Sequence, residues 1–193
     1  MKTIFDVGAN DGKTFLEEAC NGSRIYLFEP TPFLVNKICE WIDEYPNVTL
    51  IQKAVAEYDG KTDFNIAGQN DWGCSSLLEF SEGLEKTWPG RTDFKVTDRI
   101  AVETTRLDTF LRLHPEITSI DYLHVDTQGS DLSVLRSLGD MISIVQEGVV
   151  EVPQSREVML YKGQHTKEDM VSFLTMKGFE VIEVISQIGR AHV

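Results

Sequence analysis

The strongest constraint on the fold is the alternation of short apolar runs with helical patterns along this 193-residue chain. Three of the runs are residues 3–7, 24–28 and 120–125. Short apolar runs of this kind suit strands that are buried on both faces, as in parallel sheets. Strands that alternate with helices form a mostly parallel sheet with helices on both sides. The sequence therefore predicts an α/β, Rossmann-like fold.

The other predicted elements follow the same alternation. Helices are predicted at residues 11–20, 32–45, 107–113, 130–138 and 166–177, the last with a capping box at Thr166 and Asp169, and strands at 48–55, 62–66, 100–107, 142–152 and 179–185. Asp59 and Gly60 predict a hairpin turn into the strand at 62–66. Residues 67–100 show little periodicity, and a connection of that length is usually functional or mobile.

Parallel sheets of this type bind ligands at the carboxyl ends of their strands, near the point where the strand order reverses. Functional residues are therefore expected at residues 6–12, at Glu29, at Ala54–Val55 and at residues 126–129. The first of these places is a glycine-containing loop, for which three ligand chemistries compete.

Two of these chemistries fit the loop poorly. A phosphate-binding P-loop needs four residues between its glycines, whereas Gly8 and Gly12 enclose three. A dinucleotide fingerprint needs glycine at the positions of Gly8, Asn10 and Lys13, and one of the three is glycine. Asp11 also lies where a pyrophosphate would have to bind, and its carboxylate would repel that group.

S-adenosylmethionine is the third candidate ligand, and it carries a cationic sulfonium and an ammonium group but no phosphate. Gly8 lets the backbone approach a ligand closely. Glu29 follows roughly 20 residues later, where a carboxylate is expected to bind ribose hydroxyls. This combination favours S-adenosylmethionine. An NAD-dependent oxidoreductase and a non-catalytic nucleotide-binding module are the alternatives.

Five stretches of the sequence resemble the FkbM-type methyltransferases and occur in that family's order. They are residues 5–12 (FDVGANDG), 28–32 (FEPTP), 54–56 (AVA), 105–110 (TRLDTF) and 120–131 (IDYLHVDTQGSD). The resemblance implies a class I methyltransferase fold and an S-adenosylmethionine-dependent O-methyltransferase that acts on a sugar or another small hydroxyl compound.

The resemblance also implies roles for particular residues. The loop would hold the amino-acid part of the cofactor, Glu29 its ribose and Ala54 with Val55 its adenine, while Asp126 would face the reacting centre. The loop residues assigned to the cofactor are Asp6, Gly8, Ala9, Asn10, Gly12 and Thr14. His124 departs from the family pattern, which usually has lysine there. The final antiparallel strand of this class is expected to be missing.

An alcohol acceptor needs a general base or a metal ion to take its proton. Asp126 is the first candidate base because it ends a predicted strand. His124 shares its strand parity, so both side chains are expected on one face, although a core histidine is an equal alternative. Glu151, near the end of the next predicted strand, is a further candidate. Asp126 and Glu151 could instead bind a divalent cation, but two carboxylates are too few to predict a metal site.

The charge of the chain bears on its partners and location. Lys and Arg total 18 against 31 Asp and Glu, which gives a net charge of -13. So acidic a surface repels phosphate backbones and anionic lipid, so we predict a small-molecule acceptor and no nucleic acid or membrane partner. Three widely spaced cysteines and no apparent signal peptide or membrane-spanning run predict a cytoplasmic protein.

The C-terminal residues 188–193 show no periodic pattern and resemble a translated sequencing adapter. We therefore predict a single domain at residues 1–187, followed by a non-native tail that replaces the natural C-terminus.

Overall fold

The computed structural model describes residues 1–68, 73–153 and 159–183, and the backbone of residues 191–192. The strands in this part of the chain are β1 (Thr3–Val7), β2 (Arg24–Phe28), β3 (Val48–Ile51), β4 (Ala54–Val55), β5 (Gly60–Ala67), β6 (Val96–Thr105), β7 (Tyr122–Val125), β8 (Gly148–Val150) and β9 (Ala191–His192). The α-helices are α1 (Leu16–Cys20), α2 (Pro32–Cys39), α3 (Leu84–Thr87), α4 (Leu107–Leu113), α5 (Asp131–Ser137) and α6 (Lys167–Met176). Ile42–Glu44 and Gly139–Ile144 are 3₁₀ segments.

The larger sheet of the described residues has the strand order β3-β2-β1-β7-β8-β9. Neighbouring strands pair in parallel, except β8 and β9, which are antiparallel. The strands β1, β2 and β3 follow one another towards one edge of the sheet, whereas β7 and β8 follow one another towards the other edge. Because the direction reverses between β1 and β7, the loops that leave these strands diverge and a crevice forms at their carboxyl ends. The predicted α/β, Rossmann-like fold is confirmed.

A smaller sheet has the order β4-β6-β5, with β5 and β6 antiparallel. The predicted strand at 48–55 is therefore two strands in two sheets. The predicted hairpin at Asp59 and Gly60 is wrong, because β6 lies between β4 and β5. The Asp59 carboxylate instead accepts hydrogen bonds from the Arg106 N–H at 2.9 Å and the Thr109 hydroxyl at 2.8 Å, which ties the turn to the end of β6.

The two faces of the larger sheet carry separate cores because side chains alternate along each strand. One face packs Phe5, Val7, Leu123 and Val125 against α4 and α5, and the other packs Ile4, Ile25 and Leu27 against α1 and α2. Each fully buried Leu or Phe contributes about 1.5–3 kcal/mol to stability. The alternation also puts Asp6 and His124 on the face that carries α1, where the His124 ring lies against Phe15.

Among the described residues, two predicted helices and one predicted strand are longer than the elements observed. The helix predicted at 11–20 begins at Leu16, because Gly12 has a φ of +73° that no α-helix contains. The helix predicted at 32–45 ends at Cys39 before the 3₁₀ segment. The strand predicted at 142–152 is reduced to β8, because its parallel partner β7 offers pairing over three residues.

Two predictions for the C-terminal region are wrong. Residues 179–183 form no strand, since Ile182 is 82% exposed and no neighbouring strand pairs with the run in the described structure. A final antiparallel strand, expected to be missing, is present as β9. The edge of β8 offers unpaired backbone groups, which an extended segment can satisfy from either direction. Residues 184–185 lie outside the described residues, and the non-native origin of residues 188–193 stays a prediction.

Candidate functional site

A cavity of about 350 Å³ lies at the carboxyl edge of the larger sheet, beside the crevice between β1 and β7. A volume near 300 Å³ or more is typical of small-molecule sites. The predicted site residues that line it are Gly8, Ala9, Asn10, Thr14, Glu29, Ala54, Val55, His124 and Asp126. Asp6, Gly12 and Glu151 were predicted at the site but are not among its lining residues.

The loop after β1 is held against both neighbouring strands. The N–H groups of Gly8 and Ala9 donate to the Phe28 carbonyl at 3.0 and 3.1 Å. Gly8 has a φ of +85°, and a Cβ placed there would lie 2.0 Å from the carbonyl oxygen of Asp126. Glycine is therefore required at position 8 by the close approach of β1 to the end of β7, as well as by its backbone conformation.

Gly12 has a packing role in this structure. A Cβ at Gly12 would lie 2.9 Å from the Trp41 ring and 3.0–3.1 Å from Leu27 and Ile38. Its N–H donates to the Ala9 carbonyl at 2.8 Å. The glycine thus lets the loop pack on β2 and α2, and any effect on a ligand would pass through the loop.

Glu29 directly follows β2, and its carboxylate is buried, with the residue 4% exposed, and lines the cavity. Its Oε2 accepts the N–H of Asn10 at 3.0 Å, and its Oε1 accepts the N–H of Thr31 at 2.8 Å. The Thr31 side chain is a further hydrogen-bond partner. A carboxylate can accept about four hydrogen bonds, so Glu29 can still accept one from a ligand hydroxyl. Asn10 adopts a φ of 53°, in the left-handed region that asparagine tolerates better than most residues.

Burial raises the pKa of Glu29 from 4.5 to about 7. The hydrogen bonds from Thr31 and Asn10 act in the opposite direction, and the nearby carboxylate of Asp6 raises the pKa further. Glu29 is therefore close to half protonated at neutral pH, and a ligand that donates hydrogen bonds to it would favour the ionised form.

Asp6 does not line the cavity, but it contacts His124, which does. Its Oδ1 lies 2.8 Å from the Nδ1 of His124, and its side chain is fully buried. Because a carboxylate accepts hydrogen bonds, a proton on Nδ1 of His124 is directed at Asp6, and the contact fixes the orientation of the ring. His124 and Asp126 both line the cavity, and Asp6 orients the first of them.

Glu151 follows β8 and reaches Asp126 through a shared partner. The amide nitrogen Nε2 of Gln128 donates to Asp126 Oδ1 at 2.6 Å and to Glu151 Oε2 at 2.9 Å. This amide lies between the two carboxylates, in the space that a shared divalent cation would need. Among the described residues, no group of three or more His, Cys, Asp or Glu side chains is arranged to hold a metal ion.

Several lining residues had no signal in the sequence analysis. Phe64 and Leu77 come from the smaller sheet and the irregular segment, and they give the cavity apolar walls near Ala54 and Val55. Lys53 lines the same end and pairs with Glu103 at 3.4 Å. The sequence signal for Phe64 is its alternation with Ile66, which indicates a buried strand face, but the approach of β5 to the larger sheet depends on pairings between distant strands.

None of the helices in the described part of the chain combines the length and apolar character that crossing a lipid bilayer requires.

Comparison with solved structures supports the fold. The bifunctional kinase-methyltransferase WbdD matches 98% of this chain and 33% of its own length, with a TM-score of 0.51 and 13% identity. The match covers both sheets, and at this identity it bears on the fold alone.

Comparison with known sequences addresses the family. NoeI of Sinorhizobium fredii, a 2-O-methyltransferase, is 27% identical over 141 residues, which are 68% of this chain and 55% of that protein. The chain thus spans about half the length of this curated relative. Residues 6–181 match the model of the methyltransferase FkbM domain, and this range contains all the predicted site residues. The chain therefore belongs to the FkbM methyltransferase family.

Proposed function

We propose that this protein transfers a methyl group from S-adenosylmethionine to a hydroxyl oxygen of a sugar or another small molecule. The observation that carries the proposal is the buried carboxylate of Glu29, which lines a cavity of ligand size at the switch point of the sheet. The name of NoeI, a 2-O-methyltransferase, supports oxygen as the target atom.

The charges that line the cavity suit a cationic ligand. Three acidic residues, Asp11, Glu29 and Asp126, line it, whereas Lys53 is its lysine and pairs with Glu103. Carboxylates stabilise a sulfonium and an ammonium group but repel a pyrophosphate, because like charges in a partly buried site interact strongly. The donor set therefore fits S-adenosylmethionine better than NAD or ATP.

Each part of the ligand has residues that could bind it. Glu29, supported by Asn10, would accept hydrogen bonds from the ribose hydroxyls. The apolar end of the cavity at Ala54, Val55 and Phe64 suits the flat adenine ring. Gly8, Ala9 and Thr14 line the cavity as well, which leaves them for the amino-acid group. Asp6 and Gly12 would contribute by holding His124 and the loop.

S-adenosylmethionine supplies an activated methyl group when bound, and the chain has to align the acceptor and take its proton. Alignment of two reactants can account for about 7–11 kcal/mol of a barrier. Asp126 is the first candidate base, since it lines the cavity at the end of β7. His124 is the second, because it lines the cavity and Asp6 orients its ring.

The test combines binding and transfer. We expect S-adenosylmethionine and S-adenosylhomocysteine to raise the melting temperature of the full chain, and NAD and ATP to leave it unchanged. Incubation with methyl-labelled S-adenosylmethionine and a panel of glycans and sugars should then label an acceptor. A shift with NAD alone would favour an oxidoreductase, and binding without transfer to any acceptor would favour the non-catalytic alternative.

Cofactor affinity should depend on pH through Glu29. Its pKa of about 7 in the folded protein leaves about one tenth of the carboxyl ionised at pH 6, so the Kd for S-adenosylhomocysteine should be about tenfold higher at pH 6 than at pH 8. Titration calorimetry at both values measures the ratio. The Glu29→Gln variant cannot ionise at this position, so its Kd should be about the same at both pH values. A tenfold difference that persists in this variant would contradict the assignment.

The same shift sets the sign of the effect on ligand-free stability. The pKa of Glu29 is raised by folding, so the folded state retains this proton as the pH rises above 4.5. The contribution of Glu29 to the free energy of unfolding is therefore fully present below about pH 4.5, and it is lost as the pH rises through about 7.

A further inference from the structure

The loop after β7 holds a side chain whose contacts exceed those that loop closure requires. Gln128 has a φ of 55°, and it lines the cavity beside Asp126. The Asp131 carboxylate fixes the backbone on both sides of Gln128, because it accepts the N–H groups of Thr127 at 2.8 Å and Gly129 at 3.1 Å. The position of Gln128 is thus set by the backbone before its side chain makes any contact.

The amide of Gln128 joins two carboxylates from neighbouring strands. Both hydrogens of Nε2 are used, one towards Asp126 Oδ1 and one towards Glu151 Oε2. The opposite orientation of the amide would put Oε1 against both carboxylates, which would be repulsive. With the observed orientation, Oε1 faces the hydroxyl of Tyr161 at 3.0 Å.

Tyr161 connects Gln128 to the irregular segment that forms one wall of the cavity. The tyrosine is 2% exposed, and its ring stacks on Phe80 with centroids 5.2 Å apart. Its hydroxyl also lies 2.9 Å from the Cys74 carbonyl. Burial raises the pKa of Tyr161, so its hydroxyl remains a donor at neutral pH. From the same segment, the Ser76 hydroxyl donates to the main-chain carbonyl of Gln128 at 2.7 Å.

We propose that Gln128 is a positioning residue that holds the carboxylates of Asp126 and Glu151 as one fixed pair and couples this pair to the 73–80 wall of the cavity. The consequence for catalysis rests on the function proposed above. The hydrogen bond from Nε2 fixes the direction of the Asp126 carboxylate. The contacts of Gln128 with Tyr161 and Ser76 hold the 73–80 wall in place, and this wall limits the space that an acceptor can occupy. The two carboxylates tolerate each other because a donor lies between them.

The first test uses the ligand-free protein, so it does not depend on the proposed function. Both side-chain amide protons of Gln128 should resonate downfield and exchange slowly in ¹H–¹⁵N spectra, compared with those of the exposed Gln146. Asp126→Asn should move one of the two resonances upfield, and Glu151→Gln the other. Gln128 resonances that match those of Gln146, or that ignore both substitutions, would overturn the proposal.

The second test exchanges the amide and the carboxylate between positions 128 and 151. Gln128→Glu places three carboxylates together and should lower the urea midpoint of unfolding. Adding Glu151→Gln restores a donor between positions 128 and 151, so the double variant should recover part of the loss. Gln146→Glu, which changes charge equally at an exposed site, should have little effect. No recovery in the double variant would contradict a specific pairing with Glu151.

The third test separates positioning from cofactor binding. Gln128→Met keeps the length of the side chain and removes its donors and acceptor. The Kd for S-adenosylhomocysteine should stay within about threefold of the unsubstituted protein, whereas kcat with the labelled acceptor should fall at least about tenfold. A large change in Kd with kcat unchanged would show that Gln128 acts on the cofactor and would overturn the positioning role.

Discussion

Gly8→Ala should lower the free energy of unfolding by about 3–5 kcal/mol, a large part of the stability of an ordinary domain. Two costs add at this position. A non-glycine residue at a φ of +85° costs about 1–2 kcal/mol. The new Cβ would also lie 2.0 Å from the Asp126 carbonyl oxygen, which is backbone and cannot rotate away. Relief requires β1 and the end of β7 to separate. Urea unfolding measures the loss.

Gly22→Ala is the matched control for this prediction. Gly22 has a φ of +82°, but nothing lies within 4 Å of the Cβ that alanine would add. This variant therefore carries the backbone cost alone, about 1–2 kcal/mol. The difference between the two variants isolates the steric contact between the strands. Equal losses would mean that the close approach of Gly8 to Asp126 is absent in solution, whereas an insoluble Gly8→Ala beside a folded Gly22→Ala would agree with it.

The elements that could be predicted from the sequence are those with local causes. The apolar run at Arg24–Phe28 and the helix at Leu107–Leu113 have the predicted bounds. Thr166 accepts the N–H of Asp169 in the predicted capping box. In each case the deciding residues lie within one or two turns of each other, so tertiary contacts are not needed to specify the structure.

The pairing of the smaller sheet could not be predicted in this way. Asp59 and Gly60 have the local preference of a hairpin turn, yet β4 pairs with β6, whose residues lie about fifty positions further along the chain. The contacts of Asp59 with Arg106 and Thr109 outweigh the turn preference, and they depend on how the two segments meet in space.

The site shows the same division. Glu29 could be predicted because its spacing from Gly8 reflects the geometry of one strand–helix–strand unit. The bridge from Asp126 through Gln128 to Glu151 and Tyr161 joins three separate segments, and no spacing rule relates them. The sequence also indicated a ligand role for Gly12, because the need for a small residue is the same whether a ligand or, as here, the Trp41 ring lies against it.

Glu29→Ala should raise the Kd for S-adenosylhomocysteine by about 10–150-fold, equivalent to about 1.5–3 kcal/mol, because the ribose loses hydrogen bonds to a charged partner. Glu40→Ala, at an exposed glutamate, is the control for the loss of one negative charge. Because Glu29 also accepts the N–H groups of Asn10 and Thr31, the substitution disturbs the loop as well. Calorimetric titration of folded variants, confirmed by circular dichroism, measures the change.

The 2′-deoxy form of the ligand separates these two effects. If Glu29 binds the ribose, the unsubstituted protein should bind the deoxy ligand at least about tenfold more weakly than S-adenosylhomocysteine, because a buried acceptor is left without its donor. Glu29→Ala should bind both ligands about equally, because it has no carboxylate to satisfy. A preference for the 2′-hydroxyl that persists in Glu29→Ala would assign ribose recognition to another residue, and the reduced affinity would then reflect the disturbed loop.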